Sequence, residues 1–87
     1  QQNKYYWGVL VREIALEQGE YNEETIYELL KSMFLKDHII VKNKRYTVIK
    51  STTGLTTKEF IEYNDKIKFW AATELNLVLP DPDTADL

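Results

Sequence analysis

An 87-residue chain with 29% charged residues, no cysteine and a formal net charge of −3 has room for one domain with a modest core, one that buries roughly 60–65% of its unfolded surface. That composition excludes a disulfide framework, a thiolate nucleophile and cysteine-based zinc sites, and it argues against indiscriminate binding to polyanions. No apolar run approaches the roughly 20 residues of a membrane span and no secretory leader pattern stands at the amino end, so the expectation is a soluble, cytoplasmic domain with no membrane partner.

The chain opens on Gln-Gln-Asn-Lys-Tyr-Tyr-Trp without an initiator Met, which suggests a piece of a longer protein. Trp7, Leu10, Val11, Ile14 and Ala15 then recur at helical spacing, and Gly19 supplies the left-handed residue that ends a helix. Adjacent helical residues point about 100° apart, so only one of Tyr5 and Tyr6 is expected to face the core. A second helix follows, capped by Asn22, with Glu23 and Glu24 suited to the positive end of its dipole. Ile26, Leu29, Leu30, Met33 and Phe34 form its apolar stripe, and it should stop near Lys36.

From Ile39 the period changes. Ile39-Ile40-Val41 and Tyr46-Thr47-Val48-Ile49 are β-branched and aromatic runs, with Lys42-Asn43-Lys44 as the turn between them and Asn43 suited to positive φ. An isolated hairpin is marginal in water, so this one is expected to lean on the helices or on strands outside the chain. After a polar connection at residues 51–54, Thr56 and Glu59 form a capping box, with Leu55 placed as a hydrophobic staple. Phe60, Tyr63, Ile67, Trp70, Ala71 and Leu75 make this third helix the spine of the core. Trp7 and Trp70 are both expected inside. The reading is an α+β fold: a small, mostly helical domain over 1–79, three helices with a β-hairpin between the second and third, then a disordered acidic tail over 80–87.

Charge is strongly segregated. Glu13, Glu17, Glu20, Glu23, Glu24 and Glu28 run without an intervening Lys or Arg, whereas Lys36, Lys42, Lys44, Arg45, Lys50 and Lys58 are opposed only by Asp37. Local field rather than net charge attracts a polyanion. The hairpin's Lys42, Lys44, Arg45 and Lys50, with Tyr46 among them, are therefore the candidate nucleic-acid site, cations on phosphates and the ring stacking a base. The plainer alternative is an edge ribbon kept soluble by lysines. Lys66 and Lys68 share their helix with Glu59, Glu62 and Asp65, and read as a solvated mixed-charge face.

Catalysis finds little footing. His38 adjoins Asp37, but no nucleophile ordering, HExxH or glycine-rich phosphate loop accompanies the pair. The glutamates of the second helix read as a solvated face rather than a Mg²⁺ cluster, and no cofactor or metal site is expected.

Gln2-Asn3-Lys4 followed by Trp7 resembles the signature of the phage NinB family, also called the Orf recombination proteins. Downstream, Ser51-Thr52-Thr53, Leu55-Thr56-Thr57, Glu59-Phe60, Ile67, Trp70-Ala71, Glu74 and Leu77-Val78 are similar to the same family's closing motif, so the likeness runs over residues 2–79. The resemblance implies the carboxy-terminal domain of a longer phage or prophage protein: a non-enzymatic recombination mediator that binds single-stranded DNA, works with recombination and single-strand-binding proteins, and forms a homodimer. The chain departs from the family at residues 21–35, a glutamate-rich segment, and lacks the tryptophan-bearing insertion of the best-known members. No base-contacting residue carries over, and the candidate site remains the hairpin. The rival expectation is a protein-interaction or oligomerisation module, using the acidic second helix, the Tyr5–Tyr6–Trp7 edge or the tail ending in Leu87.

Overall fold

The computed structural model describes residues 2–82. Three helices and one antiparallel hairpin, placed between the second and third helices, make a mostly helical α+β domain. Helix α1 covers residues 2–18 as one continuous course: α-helical at Gln2–Tyr5, π-helical at Tyr6–Val11, and α-helical again at Arg12–Gln18. Gly19 ends it in the left-handed region at φ 76°, with its N–H on the Ala15 carbonyl. Helix α2 is Glu23–Phe34, and the Asn22 side chain accepts from the Thr25 N–H at 2.9 Å, closing its first turn.

Helix α3, Thr57–Glu74, is the spine that its apolar spacing predicts. The Thr56 hydroxyl accepts from the Glu59 N–H while the Glu59 carboxylate accepts from the Thr56 N–H, a complete capping box. Phe60, Tyr63, Ile67 and Ala71 are buried against Leu10, Val11 and Ile14 of α1 and Ile26 and Leu30 of α2. Each such aliphatic or aromatic side chain contributes about 1.5–3 kcal/mol when fully buried. The stripe also holds a polar residue, Asn64, which the apolar pattern does not single out. Trp7 and Trp70, expected in the interior, are half-buried and pack on its margin, and Leu29 is exposed.

Three expectations change. Tyr5 and Tyr6 are both buried, because α1 is covered on two sides. The Tyr5 hydroxyl donates to the Pro80 carbonyl at 2.6 Å, whereas the Tyr6 hydroxyl meets that of Tyr63 at 2.9 Å. Next in line, Trp7 stacks on Tyr27 at 4.6 Å, so three consecutive rings each find a different neighbour. The second change is at the start of the acidic tail. Leu79 is buried, the Pro80 carbonyl accepts from Tyr5, and Asp81 pairs with Lys68, so contacts with the helices extend past residue 79; the rest of the expected tail, 83–87, lies outside the described residues.

The third change concerns the hairpin. Strands β1, Lys36–Val41, and β2, Lys44–Ile49, pair from Lys36 with Ile49 through Val41 with Lys44. Lys44 therefore belongs to the strand, and the turn is the two residues Lys42 and Asn43, both at positive φ, 50° and 65°. That is the backbone of a type I′ turn, whose twist matches that of the flanking strands. Instead of leaning on the helices, the ribbon is anchored mainly at its base, where Leu35 is buried and its carbonyl accepts the Lys50 N–H at 2.9 Å. Both faces beyond that point are open, which accords with the elongated Cα envelope of 47 × 29 × 21 Å. Among the described residues no helix is long and apolar enough to cross a membrane.

Candidate nucleic-acid interface

The five candidate residues occupy one ribbon but not one patch. Lys42 is in the turn, Lys44, Arg45 and Tyr46 follow at the start of β2, and all four side chains are exposed. Lys50 stands beyond the strand, roughly 20 Å of extended chain from Lys44. It is close enough to Glu59 to help hold that carboxyl below its usual range, although the main cause there is the hydrogen bond from the Thr56 N–H. The basic tip is thus Lys42, Lys44 and Arg45, and Lys50 belongs to the base.

Side chains alternate across a strand, and directly opposed residues share a face. The register therefore sets Lys44 and Tyr46 on one side with Ile39 and Val41, and Arg45 on the other with Ile40, His38 and Lys36. The division follows from the period-2 alternation of a strand, which charge alone does not report. Lys36 is an addition to the site: it shares the Arg45 face at the opposite end of the ribbon.

Among the described residues no carboxylate pairs with a cation of the tip, Lys42, Lys44 or Arg45, or with Lys50; the cations that form ion pairs are Arg12, Lys31 and Lys68. The exposed glutamates Glu17, Glu20, Glu23 and Glu24 gather at the turn between α1 and α2. Helix α2 runs for roughly 18 Å between that turn and the root of the hairpin. The molecule accordingly has an acidic region and a cationic tip separated by a helix.

Apolar exposure accompanies the charge. Tyr46 is 49% exposed and Ile40 67% exposed, with Ile39, Val41 and Ile49 also open. A second apolar surface lies elsewhere, a groove of about 460 Å³ lined by Phe34, Phe69 and Trp70 and rimmed by Asp65, Lys66 and Glu74.

His38 and Asp37 do not assemble an acid–base pair. The Asp37 carboxylate accepts from the backbone N–H of His38, while the imidazole Nδ1 lies 3.4 Å from the Thr47 hydroxyl across the ribbon. Among the described residues no group of three His, Cys, Asp or Glu side chains is placed to hold a metal ion.

No family model, no curated protein and no solved structure matches the chain. What fold and site define is a small α+β domain carrying an exposed two-stranded ribbon with a cationic tip.

Proposed function

We propose that this domain binds DNA through the hairpin, with single strands preferred, as a non-enzymatic part of a phage or prophage recombination mediator. The observation that carries the binding is the ribbon itself: Lys42, Lys44 and Arg45 surround its tip with no ion partner among the described residues, next to a half-exposed Tyr46. Cations without protein partners can displace counterions from phosphates, and an exposed ring offers stacking to any unpaired base. The preference for single strands rests on that ring, and the recombination context on the resemblance to the NinB family, with other recombination and single-strand-binding proteins as the partners it implies. Fluorescence anisotropy with a labelled single-stranded oligonucleotide tests the assignment. Lys42→Ala combined with Lys44→Ala should weaken binding markedly, and unchanged affinity in the double variant overturns the hairpin as the site.

A second reading has its own observation. The ribbon exposes Ile39, Ile40, Val41, Tyr46 and Ile49 close together, and clustered apolar exposure is characteristic of protein contacts. A module for homodimerisation or for a partner protein would use it. Solution mass together with the anisotropy titration separates the two: a dimer indifferent to DNA favours this second reading.

A further inference from the structure

We infer that the hairpin sits between two nucleic-acid strands, so that the DNA it prefers is a fork where a duplex opens into two single strands. The inference rests on the DNA-binding reading and specifies its substrate.

A surface that follows one strand collects its cations and stacking rings on one side. This ribbon does not. Lys44 and Tyr46 project from one face, Arg45 and Lys36 from the other, and Lys42 stands at the turn between the two. One strand laid along either face leaves the opposite cation unused; two strands, one on each face, engage them all. The root of the ribbon leaves both faces accessible, since neither strand is covered by a helix beyond its base.

A two-stranded ribbon also fits the major groove of an intact duplex, so the apolar residues decide between duplex and fork. Ile40 beside Arg45, and Ile39 and Val41 beside Tyr46, are open to solvent near the tip. Along a groove they would face mainly water and polar base edges. At a fork the strands are already apart, and apolar wedges can cover the last base pair while Tyr46 stacks on a freed base. The glutamates at the α1–α2 turn disfavour a polyanion on that part of the protein, which favours contact along the ribbon.

The test uses the full 87-residue chain and three labelled DNAs of matched sequence: a single strand, a blunt duplex and a splayed fork. The fork should bind about tenfold tighter than the single strand, the equivalent of one additional charged contact. Arg45→Ala should weaken both complexes but cost the fork more, so that the fork-to-single-strand ratio falls toward one, whereas Lys44→Ala should weaken the two to a similar degree and leave more of the ratio in place. Equal affinity for fork and single strand overturns the inference and leaves the DNA-binding reading intact. Tightest binding to the blunt duplex also overturns it, placing the ribbon in a groove, and so does an Arg45→Ala variant whose fork-to-single-strand ratio equals that of the native chain. No binding to any of the three defeats the underlying reading instead.

Discussion

The hydroxyls of Tyr6 and Tyr63 meet at 2.9 Å in the centre of the domain, and each side chain is at most 2% exposed. Tyr6→Phe removes one hydroxyl and leaves the other buried without that partner. The loss combines the net value of the hydrogen bond with the desolvation of the abandoned group, about 2 kcal/mol together. In a domain of this size that corresponds to a fall in Tm of about 8–16 °C. Tyr63→Phe should cost a similar amount, for the same reason. The double variant Tyr6→Phe/Tyr63→Phe removes both polar groups while retaining the rings that pack with Phe60, so its loss should be smaller than the sum of the singles by more than about 1 kcal/mol.

Alkaline pH gives an independent readout of the same pair. Burial pushes the Tyr63 phenol up to about 12 from 10.0 and raises Tyr6 as well, to which the hydrogen bond with Tyr63 adds. Raised folded-state values mean that the pair's stabilisation is complete below pH 10 and is lost as pH climbs through the folded values. Thermal melts of the four proteins, from neutral pH to about pH 11, supply the cycle and the pH dependence together. Additive single losses, or an alkaline decline that persists unchanged in the double variant, would refute the coupling.

Two glycines should respond in opposite directions. Gly8 is exposed within α1 and a Cβ there meets nothing within 4 Å, so Gly8→Ala should stabilise by about 0.5–1 kcal/mol. Gly19 has equal space but stands at φ 76°, so Gly19→Ala should cost about 1 kcal/mol through backbone strain, measured by urea unfolding. Thr56→Ala removes the acceptor for the Glu59 N–H, and a loss of about 1 kcal/mol in the same assay is expected.

Local features of the fold were legible because local chemistry dictates them. Thr56 and Glu59 specify the start of α3 within four residues, Gly19 the end of α1, and the β-branched runs either side of Asn43 the hairpin. What escaped the sequence depends on contacts between distant residues. The hydroxyl of the buried Tyr5 finds its acceptor at Pro80, 75 positions away, and no periodicity in α1 reports a carbonyl from so distant a residue. The widened π-helical course at Tyr6–Val11 likewise has no signature in apolar spacing, although Tyr6 within it reaches Tyr63. For the candidate site, residue types mark the ribbon as cationic, whereas the division of Lys44 and Arg45 between opposite faces follows from strand alternation and register rather than from charge. Closeness in sequence likewise does not show that one strand length separates Lys50 from the tip.

The salt dependence of single-strand affinity, compared between the native chain and its Lys42→Ala/Lys44→Ala variant, interrogates the cationic tip most directly. Each phosphate contact contributes about 0.7 to the slope of log affinity against log salt, so the variant's slope should be shallower by about 1.4. Parallel slopes for the two proteins would mean that these lysines touch no phosphate, contradicting the account at its base.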